Sequence, residues 1–312
     1  MRIVADDQIF AGSAHSHPEL HDLLLACRDG RHQLEVLPPA APCLARWLTD
    51  HAGSIRDHYQ EILDTSQREL AISARRVTVS IPKVPLRTAL TLVKTPLYVL
   101  VENERNDGAF LRAVLRGPRK QEWQAALSNR YLAFYNGGGM QEIEKRIQSN
   151  GAEAVEPLRT FVLFDSDARQ PGEPSSAARQ LMVLCRSKGV QHHMLRRRER
   201  ENYLPVESLA GWLEVKPRSA KQRLRPVLGQ YRRLTEQQRH HFNMRYGLKK
   251  DTEQPELFAT LDVIQQKVLQ IGFGEDVGQI FNQPEQIADE WLIDDGQRDE
   301  MESLLDDILA LL

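Results

Sequence analysis

An α/β fold, built on a parallel sheet with helices on both faces, is what this sequence predicts, and three observations predict it. Leu97–Val101 is an unbroken run of apolar β-formers, as a strand covered on both faces requires. Two more such runs follow, at Tyr131–Tyr135 and Phe161–Phe164, and Val190–Leu195 reads as a fourth strand. The segments between them have helical apolar spacing, and strands alternating with helices at this distance call for right-handed parallel crossovers.

Ahead of this core, residues 1–92 read as a mixed α/β domain. Arg2–Ala5 and Gln33–Leu37 are short strands, Pro18–Cys27 is a helix, and Pro38-Pro39 stops the second strand. A single long helix is expected from about Ala45 to Arg68, with Ser54 or Asp57 as a place where a helical turn can begin. Val77–Ile81 alternates as a strand and ends at Pro82 and Pro85. The segment HSHPELHD offers His15, His17 and His21 as metal ligands. No Cys or carboxylate accompanies them at zinc spacing, so histidines in a loop are the better reading.

The core is expected over 93–205. Its first strand stops at Glu102, and a helix follows from about Asp107 to Leu115 with Phe110, Leu111, Val114 and Leu115 on one stripe. The second ends at Asn136-Gly137-Gly138-Gly139 and leads into a helix over Gln141–Gln148. The third ends at Asp165-Ser166-Asp167, after which Ser175 and Ser176 begin a helix that Gly189 closes. The fourth hands over to RRRERENYLP, and residues 206–312 form a helical C-terminal extension.

The chain has 312 residues, enough for about two domains, and no apolar run of the roughly 18 residues that a membrane helix needs. The charged opening MRIVADDQIF argues against a secretory signal, and three cysteines without a C-x-x-C pair fit reduced thiols. A cytoplasmic location is expected. The net charge of −2 conceals a segregation: 17 Lys+Arg against 5 Asp+Glu over 186–250, then 2 against 16 over 251–312. Arg196, Arg197, Arg198 and Arg200 head the basic stretch, which continues through Arg218, Arg225, Arg232 and Arg239. Such a stretch is either a nucleic-acid-binding face or a solvated helical surface facing the acidic tail. That tail carries an apolar stripe, from Trp291 and Leu292 to Met301, Leu304, Leu305, Ile308 and Leu309, which packs on its own chain or docks a partner.

In an open parallel sheet, functional groups gather outside the carboxyl ends of the strands. Glu102 ends the first strand, Asp165 and Asp167 the third, and Glu199 and Glu201 follow the fourth. Asp165 and Asp167 are two apart in an extended segment, which points both to one side. Carboxylates brought together repel unless a cation neutralises them, and an all-oxygen set favours Mg²⁺ or Mn²⁺. Capping of a local turn by Asp165 or Asp167 is the competing reading.

LYVLVENERNDGAFL, YNGGGM, FVLFDSD and RRERENYLP resemble the four motifs of the Toprim domain, in the version found in OLD-family (overcoming lysogenization defect) nucleases. The resemblance spans about Thr95 to Pro205. It implies a Toprim-type core and a Mg²⁺-dependent endonuclease acting on DNA or RNA, with Glu102, Asp165, Asp167 and Glu201 as metal ligands. Where the family has Val-Glu-Gly-x-x-Asp, this chain has Asn103 for the Gly, and the second acid is either Asp107 after a one-residue insertion or is replaced by Asn106. A catalytic lysine beyond the last acid is matched by Lys249 or Lys250, with Arg245 nearby. No G-x-x-x-x-G-K-[ST] loop occurs, so a controlling ATPase would be a separate protein. The resemblance implies a place in bacterial anti-phage defence beside such a partner. A non-cleaving module that grips nucleic acid or the ATPase is the rival reading, and the oligomeric state, monomer or dimer, stays open.

Overall fold

The computed structural model describes residues 1–11, 17–28, 31–70, 78–81, 84–149, 156–250, 256–294 and 297–312. They fall into two compact units: 1–97 with 125–133 and 306–312, and 98–124 with 134–305. This replaces the expected division at 92 and 205. The helices after residue 205 belong, up to 305, to the same unit as the predicted core.

In the first unit, β1 (Arg2–Ala5) lies between β2 (Gln33–Val36) and β3 (Thr78–Ile81), all parallel, with Arg2 level with Gln33 and Thr78. Ile3, Ala5, Leu34, Val79 and Ile81 are buried, as the alternation required. The long helix expected after Pro39 is two helices, Ala41–His51 and Arg56–Leu70. Gly53 takes a left-handed φ of 51° between them, a conformation that glycine adopts without steric penalty. A further helix, Leu86–Lys94, starts directly after Pro85 and buries Ala89, Leu90, Leu92 and Val93. The strand ends at Ile81 as expected, whereas this helix is not among the expected elements; proline suits the position before a first helical turn because the missing N–H has no helical partner there. His21 donates to or accepts from Tyr59 Oη at 2.7 Å and its ring lies 4.9 Å from Trp47, a packing role. His15 lies outside the described residues.

The second sheet has the order β5-β4-β6-β7, with β4 Leu97–Val101, β5 Leu132–Asn136, β6 Thr160–Phe164 and β7 Gln191–Met194. β6 runs parallel to β4 and to β7, pairing Val99 with Phe161 and Leu163 with His193. Leu100, Val162 and Phe164 pack with Ile143, Ile147, Leu181 and Cys185 from the helices Met140–Gln148 and Ser176–Lys188. The chain leaves β4 for β5 on one side and returns to β6 on the other, so the carboxyl ends of β4 and β6 flank a topological switch point.

Gly137 follows β5 at that end. Its N–H donates to Val101 O at 2.6 Å, and an added Cβ would stand 2.3 Å from Ile143 Cγ1 and 2.8 Å from Val101 O. Because the second obstacle is backbone, Gly137→Ala is expected to destabilise the protein by roughly 1–3 kcal/mol, read as a lower urea midpoint.

The acidic C-terminal stripe is core. Leu292, Met301, Leu304, Leu305, Ile308 and Leu309 are all buried within this chain, which removes the stripe as a docking face. Among the described residues, no helix is long and apolar enough to cross a membrane.

Candidate functional site

Glu102 stands directly after β4 and Asp165 directly after β6, so adjacent parallel strands deliver both carboxylates to one place. With Asp167 they line an open polar cleft, together with Asn103, Asn106, Glu199, Arg200, Glu201 and Arg245. The Asp165 backbone N–H stabilises the charge of the Glu102 carboxylate. Asp167 has a left-handed φ of 49°, which Asp tolerates better than most residues, and its N–H donates to Arg198 O at 2.8 Å.

The helix Glu104–Val114 starts three residues earlier than periodicity placed it, because Asn103 caps it. Asn103 Oδ1 accepts from Asn106 N–H at 3.1 Å, and Asp107 Oδ2 accepts from Asn103 N–H at 2.8 Å. This reciprocal cap separates the two candidates for the second acid. Asn106 faces the cleft, whereas Asp107 is buried beside Glu102, Asp165 and Arg200.

The segment after β7 forms the cleft's other wall. Arg196 is exposed, but Arg197, Arg198 and Arg200 are 4–8 % exposed, which corrects their expected role on a nucleic-acid-binding face. Arg197 donates to Asn202 O at 2.8 Å and stacks on the Tyr203 ring, and Arg198 donates to His241 O at 3.3 Å. Glu199 and Asn202 form a capping box, and Glu199 Oε1 accepts from Met244 N–H at 2.7 Å, so Glu199 is an architectural acid. Glu300 fixes the segment from behind, accepting from Tyr203 Oη at 2.7 Å and from Arg196 N–H at 2.8 Å.

Arg200 is the centre of the acidic cluster. Nη1 donates to Asp107 Oδ1 at 2.7 Å, Nη2 lies 3.2 Å from Glu201 Oε1, and its backbone N–H donates to Asp165 Oδ1 at 3.1 Å. Arg245, partly exposed, donates to Glu201 Oε1 at 2.8 Å. Lys249 is exposed and does not line the cleft; Arg245 is the cation on that wall, and the side chain of Lys250 lies outside those described.

Burial, then repulsion from Asp107 and Asp167, pushes the Glu102 carboxyl up to about 7, against the Asp165 N–H and Arg200. Burial raises Asp165 well above the carboxylate range despite Arg200, and burial also raises Asp107 and Asp167. A carboxyl whose pKa is higher in the folded state takes up its proton more tightly there, so it favours folding at low pH and loses that contribution as pH rises. For Glu102 the window runs from 4.5, its ordinary value, to about 7. Metal-free protein is therefore expected to lose roughly 3 kcal/mol of this contribution between about pH 4 and pH 8, and Glu102→Gln to lose correspondingly less. Urea unfolding of both proteins across that range measures the difference.

The donor chemistry suits a hard cation: Glu102, Asp165 and Asp167 supply oxygen alone, and Glu201 Oε2 is buried without a hydrogen-bond partner. Among the described residues, no three His, Cys, Asp or Glu side chains are already gathered as a coordination sphere, and Arg200 takes the central charge-neutralising position. The buried Glu300, the inward turn of Asp107 and the bridging by Arg200 escaped sequence reasoning. The Glu199-to-Asn202 spacing of a capping box was the one local signal available for this wall. No protein-family model, curated protein or solved structure matches this chain.

Proposed function

We propose that this chain is a metal-dependent nuclease of Toprim type, similar to the OLD-family enzymes. The observation that carries the reading is the meeting of Glu102 and Asp165 at the switch point of a parallel sheet, in one cleft with Asp167, their carboxyls raised by burial and mutual repulsion. Glu102, Asp165 and Asp167, with the unpartnered oxygen of Glu201, would hold Mg²⁺ or Mn²⁺. When bound there, the ion supplies a Lewis acid for a phosphoryl oxygen and a more acidic water.

The chain's own groups do the rest. Asp165 N–H stabilises the charge of the Glu102 carboxylate, buried Asp107 holds Arg200 at the cleft wall, and Arg245 presents a partly exposed guanidinium suited to a phosphate oxygen. Control by a separate ATPase, a place in anti-phage defence and a cytoplasmic location are supported by the sequence resemblance and by the lack of a phosphate loop of the G-x-x-x-x-G-K-[ST] kind. A non-cleaving binding module is the second reading. It is favoured by Arg200, whose guanidinium already neutralises Asp107 and Glu201.

The deciding experiment incubates the purified chain with plasmid, linear DNA and total RNA in Mg²⁺, Mn²⁺ or EDTA, alone and with an ATPase encoded beside it. Cleavage that EDTA abolishes supports the nuclease. Binding without cleavage under every condition supports the second reading.

A further inference from the structure

One helix carries an unbroken basic stretch that does not line the acidic cleft. Arg218–Tyr231 buries Leu224, Val227, Leu228 and Tyr231, and leaves Arg218, Arg223 and Arg225 exposed, followed by exposed Arg232 and Arg233. Residues 218–234 contain six Lys+Arg and no acid. Arg218, Arg225 and Arg232 recur every seven residues, two helical turns, so they share a face at intervals of about 10 Å. A line of three spans about 21 Å, the length of about six phosphates along one strand of a duplex.

The helix is electrostatically unfavourable by itself. A cation opens it where the helix dipole favours an anion, its first turn has no acid, and Arg218 and Lys221 repel at i, i+3. Glu214 pairs with Lys221 at 3.5 Å and with Arg225 at 3.2 Å, leaving the excess largely uncompensated. Uncompensated repulsion on a surface helix is a feature that a polyanion relieves.

The helix also leads to the cleft. The Tyr231 ring at its end packs 5.7 Å from Phe242 and 5.4 Å from Phe273. Phe273 and Gly274 in turn donate to Met244 O and Arg245 O at 2.7 and 3.1 Å, fixing the segment that carries Arg245 into the cleft.

We propose that the exposed face of Arg218–Tyr231, extended by Arg232 and Arg233, is the track on which a nucleic-acid phosphodiester backbone lies, with its Tyr231 end toward the cleft. This deepens the nuclease reading and rests on it for the nature of the polyanion. It also moves the binding face away from Arg197, Arg198 and Arg200, which the fold has buried.

The test measures binding in EDTA, where no cleavage is needed. Anisotropy of labelled single-stranded DNA, duplex DNA and RNA, each about 30 nucleotides long, is followed over rising salt for the wild type, for R218Q/R225Q/R232Q and for a control, R46Q/R56Q/R87Q, that removes exposed arginines elsewhere. The track variant is expected to lose about 2–3 units of log–log salt slope and at least tenfold in low-salt affinity, while the control changes neither. Circular dichroism confirms that both variants are folded. An unchanged slope in the track variant, an equal loss in the control, or no binding by wild type overturns the inference. Slope loss without any metal-dependent cleavage would keep the track and refute the nuclease; cleavage with an unchanged slope would do the reverse.

Discussion

Replacing Arg200 by alanine is expected to destabilise the protein by about 3–5 kcal/mol near pH 8, the range for removing one partner of a buried ion pair. The side chain is 8 % exposed and serves Asp107 and Glu201 together, at 2.7 and 3.2 Å. Without it, Asp107 and Asp165 would lose the cation beside them, and Glu201 would keep only Arg245. The loss is expected to shrink when the pH is lowered, because Asp107 and Asp165, already raised by burial, then take up protons in place of the guanidinium. Arg200→Lys is expected to recover part of the stability, since an ammonium restores the charge but not the fork that reaches two acids. Denaturant unfolding near pH 8 and at lower pH measures all three proteins. An alanine variant as stable as the wild type near pH 8 would show that the cluster carries protons rather than charge there.

Glu102→Gln and Asp165→Asn are each expected to reduce metal-dependent cleavage at least a hundredfold, since changes even to outer-shell partners of metal ligands weaken metal affinity or activity by about 10–100-fold. Neither should unfold the protein. Each removes one negative charge from a crowded cluster, so metal-free stability near pH 8 is expected to hold or rise, while the stabilisation conferred by added Mg²⁺ disappears. Cleavage rates and melting temperatures with Mg²⁺ and with EDTA read both effects. A variant that melts normally and cuts at the wild-type rate would exclude that residue from the site.

The sequence by itself determined the strands and the acids at their ends. Leu97–Val101 and Phe161–Phe164 lie in strands, with Glu102 and Asp165 next in the chain, because an apolar β-former run and the polar residue that ends it are local signals. The alternation of strand and helix likewise called for a parallel sheet, and β4 and β6 run parallel, although their adjacency was not legible. Local pattern fell short beside proline and glycine: the helix after Pro85 was not placed, and Gly53 divides the one expected over 45–68. Tertiary structure alone decided what each charge does. Arg197, Arg198 and Arg200 look alike in RRRERENYLP, yet Arg200 meets Asp107 from 93 positions away, and Glu300 reaches Tyr203 across 97. The apolar stripe of the C-terminal helix was legible, while its burial in this chain was not. The reason is physical: periodicity reports which side of an element is apolar, whereas the cover over that side, and the solvent and counter-charge around each ion, are set by residues far away in the chain.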